Sequence, residues 1–178
     1  MMIHKKATQG ISLSGKGKGK ITVLIATMIV TFSLYVSARP DYKVEYPKGY
    51  RAWTHVMSYL IGPQSPAYER NGGLHHFYAN EKAMEGYRRG KFPDGSVLID
   101  ERNKAQENEG VTRVGDLIGI GVMVKDSQRY ADTGGWGFEI FVGDNQANGV
   151  LSAQGRATCY NCHVKQKDND YIFSKLRN

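Results

Sequence analysis

Cys159-Tyr160-Asn161-Cys162-His163 sets two thiols three residues apart, with an imidazole directly after the second. On one short turn, two such thiols can add to the two vinyl groups of a haem. The histidine then falls beneath the iron as an axial ligand. The chain holds 2 cysteines in all, so attachment leaves none for a disulfide. Thioether bonds retain the macrocycle even where the protein gives the iron one strong ligand, which frees the opposite face. Two other chemistries use the same spacing. A structural zinc site would need a fourth ligand from afar, such as His75 or His76, and lacks the second paired motif usual in such sites. A redox dithiol would want a βαβ context that the surrounding segment does not show. The pattern favours one haem c, bound through Cys159 and Cys162, with His163 on the metal.

The rest of the chain must carry and shield that group. Residues 1–20 hold five lysines and no acid, and include Gly15-Lys16-Gly17-Lys18-Gly19-Lys20. That run is not a phosphate loop, since no strand precedes it and no Gly-Lys-Ser/Thr helix start follows. Residues 21–38 are apolar and uncharged and end Val36-Ser37-Ala38. A basic head, an apolar middle and small residues at the end are the parts of a secretory signal, with cleavage expected after Ala38. An 18-residue apolar span also allows an uncleaved N-terminal anchor. Either way residues 39–178 are expected outside the cytoplasm, in the periplasm. The leader carries most of the net charge of +7, because residues 39–178 balance 19 bases against 17 acids. A nearly neutral folded part gives no reason to expect a nucleic-acid partner. Its length suits one domain with one modest core.

Within that domain, residues 50–61 alternate large side chains (Trp53, His55, Met57, Tyr59, Ile61), which predicts a strand. Residues 74–79 predict a second. Asn80 is a suitable N-cap for a helix over 81–89 that Gly90 closes. Phe92-Pro93-Asp94-Gly95 turns into a strand over 96–101. The polar stretch 103–110 reads as a loop or a wide hairpin connection. Residues 117–125 and 136–142 predict two more strands. The tail from 145 reads as loop, with a short turn at the cysteine motif and Tyr171-Ile172-Phe173 as an apolar clamp. The expected fold is α+β, mainly an antiparallel sheet with one or two short helices.

A strand-rich domain with its attachment motif near the C-terminus is unlike the small helical c-type cytochromes. It resembles the cytochrome P460 family, which includes the β-sheet cytochromes c′. The resemblance rests on Tyr46-Pro47-Lys48-Gly49-Tyr50-Arg51 with Trp53, on Tyr87-Arg88 with Gly90, Phe92 and Asp94-Gly95-Ser96-Val97, and on Lys125-Asp126-Ser127-Gln128-Arg129. Gly135-Trp136-Gly137-Phe138 and Cys159 to His163, followed by Asp170-Tyr171-Ile172-Phe173, complete it. The resemblance implies a homodimer of antiparallel sheets, each with one five-coordinate haem bound by a proximal histidine. It also implies a distal face that meets small nitrogen ligands.

The sequence departs from the family's hydroxylamine oxidases at two positions. Where those enzymes have a lysine cross-linked to the haem ring, this chain has Asp100. Where they have a distal glutamate, it has Gly121. A carboxylate cannot form the same nitrogen–carbon link, and glycine relays no proton. Lys104, four residues beyond Asp100, would miss the ring because strands place side chains at a fixed rise. On the distal side, period-two alternation sends His75 and Phe77 to one face and His76 to the other. The equivalent strand in the family faces the haem, so the resemblance implies His75 and Phe77 as the haem-facing pair, with Asp100 nearby; a purely structural histidine is the competing reading. Met57 and Met123 are possible sixth ligands, though mid-strand methionines more often fill core. His55 beside Trp53 reads as structural.

Two functions survive. One is an exported cytochrome that binds nitric oxide or a similar diatomic, or passes single electrons to a redox partner protein. The other is an enzyme oxidising hydroxylamine or nitric oxide, with Asp100 or His75 as the candidate catalytic group. The two missing side chains favour the first.

Overall fold

The computed structural model describes residues 42–177. The expected leader over 1–38 lies outside them. Among the described residues, five strands form one antiparallel sheet in the order β1-β2-β3-β4-β5. They are β1 (Thr54–Ile61), β2 (Gly73–Ala79), β3 (Val97–Asn108), β4 (Val111–Lys125) and β5 (Trp136–Val142). Helices α1 (Tyr68–Asn71), α2 (Glu81–Arg89) and α3 (Ala153–His163) lie in the connections and the tail. The architecture is the expected α+β one. None of these helices is long and apolar enough to cross a membrane.

Alternation along the strands makes two cores, one on each face of the sheet. The first gathers Val56, Ala79, Leu98, Trp136 and Phe138 with Ala83 of α2, Phe92, Tyr171 and Ile172. The second gathers Val44, Tyr50, Ile99, Ile120, Val122, Tyr130 and Phe141. Helix α2 covers part of the first face. Asn80 caps it as its sequence suggests, its Oδ1 accepting from Ala83 N at 2.9 Å and from Val97 N at 3.0 Å. Gly86 is where the helix meets Phe92, and a Cβ there would collide with the Phe92 ring.

Three local expectations need correction. The first strand starts at Thr54, because Tyr50–Ala52 makes a 3-10 turn after Gly49 in the left-handed region (φ 74). That turn buries Tyr50, whose hydroxyl donates to the carboxylate of Glu101 across the second core. Residues 103–108 of the polar stretch over 103–110 are strand and only 109–110 are turn, so a tight hairpin replaces the expected loop or wide connection. β3 and β4 continue together past their neighbours as a two-stranded ribbon, closed by Glu109 (φ 50) and Gly110 (φ 77). Positive φ at both loop residues matches the right-handed twist of the paired strands. The β3 arm of the ribbon is exposed from Lys104 onward, so its residues are mostly polar without being irregular. Register shifts at Arg102/Asn103 and Asn103/Ala105 mark where it leaves the sheet. Third, the cysteine motif sits in α3, an 11-residue helix and not a short turn.

Candidate functional site

α3 begins at Ser152, whose side chain accepts from Gly155 N at 3.1 Å, and it ends at His163. Because the motif is helical, Cys159, Cys162 and His163 stand at i, i+3 and i+4 and share one side of the helix. Cys159 is half-buried against the first core and Cys162 is exposed. Burial, with a smaller contribution from the neighbouring Cys162, pushes the Cys159 thiol up. A redox dithiol works through a lowered thiol pKa, so this environment does not suit one. Among the described residues, no group of three or more His, Cys, Asp or Glu side chains is arranged to hold a metal ion. His75 and His76 are engaged elsewhere, with Asp100 and Ser58.

His163 is half-buried between two aromatic rings, Phe138 at 5.2 Å and Phe173 at 5.0 Å between centroids. Its Nδ1 lies 2.7 Å from the carbonyl oxygen of Tyr171. A carbonyl can only accept, so Nδ1 carries the proton and Nε2 keeps its lone pair. Burial lowers the pKa of His163, and the hydrogen bond to Tyr171 offsets this only in part. The side chain is therefore neutral at neutral pH, in the tautomer a metal-ligating histidine requires.

The Tyr171 carbonyl reaches His163 through an unusual corner. Asp170 (φ 47) and Tyr171 (φ 68) are consecutive non-glycine residues in the left-handed region. Each such residue costs about 1–2 kcal/mol. Asp170 is held from three directions. Lys125 Nζ donates to its Oδ1 at 2.8 Å, Phe92 N to its Oδ2 at 2.8 Å, and Trp136 Nε1 to its carbonyl at 2.9 Å. The Tyr171 ring packs on Gly134, where any Cβ would collide with it.

On the same face of the sheet, pairing aligns Met57, Phe77, Asp100, Gly121 and Ile140 in one row across the five strands. This row adjoins the one holding Leu98, Met123 and Phe138. Phe77, Met57 and Met123 all pack against the first core as partly buried side chains. Asp100 and Gly121 are direct register partners. A Cβ at Gly121 would find only Asp100 Cβ, at 3.8 Å, so the sheet is bare there. In the next row His75 is buried, with Tyr59 stacked on it at 4.9 Å. His75 Nδ1 donates to Asp100 Oδ1 at 2.8 Å and its Nε2 donates to Asn71 O at 2.8 Å. Burial lowers the His75 pKa, but the hydrogen bond and charge of Asp100, with the Asn71 carbonyl, together raise it above its ordinary value. The desolvated phenol of Tyr59, close to Asp100, is pushed up to about 12.

Against this geometry, the family model described as cytochrome P460 matches residues 47–174. The chain belongs to the cytochrome P460 family. Membership makes it a c-type haem protein. No curated protein matches it. The residues fit the cofactor of a P460-family cytochrome: two thiols on one side of α3, a neutral imidazole with Nε2 free, and a sheet face that offers Phe77, Met57 and a bare patch at Gly121.

His75 and Phe77 share one face of the sheet and His76 takes the other. There its Nδ1 meets Ser58 Oγ at 2.8 Å, and Ser58 Oγ meets His55 Nε2 at 2.7 Å. Lys104 lies on the ribbon, its Nζ 3.3 Å from Asp116 Oδ2. Four contributors escape sequence reading: Tyr59, Asn71, Lys125 and Asp170. Tyr59 sits in the alternating pattern and is findable as a partner of His75. Asn71 acts through its backbone carbonyl and leaves no side-chain signal. Lys125 and Asp170 stand in motifs of the family resemblance, but 45 residues separate them.

Proposed function

We propose that this P460-family protein is an exported mono-haem c-type cytochrome, with haem joined to Cys159 and Cys162 and bound on its iron by His163. It binds a small nitrogen ligand such as nitric oxide, or exchanges single electrons with a partner protein in the periplasm, as a homodimer. The observation that carries this reading is His163 itself. It stands beside both thiols, wedged between Phe138 and Phe173, with Nδ1 committed to Tyr171 and Nε2 available.

Bound haem iron supplies a one-electron couple and an axial position for a small ligand. The chain's own residues decide what reaches that position. Tyr171 fixes the tautomer and ring direction of His163. Phe138 and Phe173 keep water from its ring. Phe77 and Met57 make the facing wall apolar, which disfavours water because water would lose hydrogen bonds on entry. A small neutral diatomic loses least.

His75 takes no part as an iron ligand in this arrangement, since both ring nitrogens donate to other groups. It holds Asp100 in place instead. That carboxylate is the one feature favouring the enzymatic alternative, because it supplies a fixed proton acceptor beside Phe77. Optical spectra of the oxidised and reduced protein test the main reading. It expects a reduced Soret band in the ordinary c-type range and spectral shifts with nitric oxide and carbon monoxide. Steady hydroxylamine oxidation that disappears in Asp100→Asn would favour the enzyme.

A further inference from the structure

The axial histidine takes its orientation from a backbone carbonyl, and that carbonyl stands on two left-handed non-glycine residues. Local backbone bonds, Asp170 N to Lys167 O at 3.1 Å and Tyr171 N to Gln166 O at 2.7 Å, close the turn, but both residues carry a Cβ and only Asp170 is of a type that tolerates the left-handed region. The fold adds a hold from outside. The Asp170 carboxylate is almost fully buried with the Lys125 ammonium, at 12% and 8% side-chain exposure. The same ammonium donates to Gly134 O at 3.1 Å and lies 4.9 Å from the centre of the Trp136 ring. The end of β4, the start of β5 and the loop after α2 thus converge on one residue, immediately before the residue whose carbonyl meets His163.

We propose that Asp170 is a positioning residue for the axial ligand. Through its bonds to Lys125, Phe92 and Trp136 it fixes the left-handed corner, and the corner sets the direction and strength of the His163 Nδ1–H bond to Tyr171. A stronger bond at Nδ1 puts more electron density on Nε2, makes the imidazole a better donor and favours ferric over ferrous iron. The inference rests on the reading of His163 as the iron ligand. It adds that the donor strength of this ligand is controlled from the sheet's end, through a residue that touches neither haem nor histidine.

The test uses holoprotein carrying Asp170→Ala, which loses both side-chain bonds, to Lys125 and Phe92, and left-handed tolerance together, while the backbone carbonyl that Trp136 meets remains. Asp170→Asn is the conservative partner. An asparagine tolerates the left-handed region and still accepts from Phe92, but loses its charge toward Lys125. Two readouts go beyond stability: the iron–histidine stretching band of the ferrous protein by resonance Raman, and the reduction potential. In Asp170→Ala the band should fall in frequency. The ferric/ferrous balance should move about threefold toward ferrous, or roughly 28 mV at 59 mV per tenfold for one electron. Asp170→Asn should shift both the same way by less.

A lower melting temperature with band and potential unchanged would make Asp170 merely structural and overturn the proposal. If Asp170→Ala does not accumulate, Asp170→Asn decides by the same two readouts, an unchanged pair again overturning it. A native protein with no covalent haem would instead defeat the underlying reading, before any variant is compared.

Discussion

His75 Nδ1 lies 2.8 Å from one carboxylate oxygen of Asp100 and 3.1 Å from the other, while its Nε2 lies 2.8 Å from the carbonyl of Asn71. All three partners are acceptors, so the site favours the doubly protonated ring, in which both nitrogens donate. In that form a buried cation sits beside a partly exposed carboxylate, on the face of the sheet that carries Phe77. This relationship decides two of the expectations below.

The first concerns pH. His75 has a folded pKa above its unfolded value, so between the two values the folded state holds the extra proton. The pair's stabilisation is fully present below about pH 6.5, the unfolded value. It fades as pH rises through the raised folded pKa. Asp100 is more than a third exposed, which weakens the pair through solvent screening, so the effect amounts to about 1 kcal/mol. Urea unfolding of native protein from pH 5 to 9 should show this loss with rising pH, and Asp100→Asn should flatten it.

The second concerns the iron's sixth position. With Nε2 of His75 donating to Asn71, His75→Ala should leave the spin state of the ferrous protein unchanged. Conversion from low-spin to high-spin on that substitution would show that His75 swings to the iron.

A third expectation separates two glycines on neighbouring rungs of β4. A methyl group at Gly119 would collide with the Phe141 carbonyl oxygen, a backbone atom that cannot yield without breaking the ladder. Gly119→Ala should cost about 2–3 kcal/mol by chemical denaturation. At Gly121 the added methyl meets only Asp100 Cβ, at 3.8 Å, so Gly121→Ala should change stability by less than about 0.5 kcal/mol. Its effect should appear in carbon monoxide association, which would slow if the bare patch admits the ligand.

Phe77 supplies the fourth. It packs against Met57 and the first core while remaining partly accessible. Phe77→Ala should destabilise the protein by about 2 kcal/mol, below the range for fully buried aromatics. It should also speed carbon monoxide binding to the ferrous form in flash photolysis. An unchanged rate would place ligand entry elsewhere.

Much of this was legible in the chain because the relevant signals are short-range. Asn80 and Gly90 bracket a helix of the expected extent. Alternation around His75 and Phe77 assigns their faces correctly, since the period of two is a property of each strand alone. The ribbon is not legible as strand because its polarity reflects exposure on both sides, and polarity without burial resembles a loop or a wide connection. The helix at Cys159 was hidden because it buries no complete side chain and its residues follow haem chemistry more than amphipathic spacing. The Tyr171 carbonyl and the Lys125–Asp170 pair could not be read at all. One is backbone, and the other depends on the last strands folding back on the tail.

Covalent attachment of the haem underlies every ligand-binding expectation above. Intact mass of the denatured protein, made in cells competent for c-type maturation, should equal the polypeptide plus one haem. Cys159→Ala or Cys162→Ala should weaken retention through acid and acetone, and the double substitution should abolish it. A native protein that runs at the mass of the polypeptide alone, with haem lost on denaturation, would contradict the account.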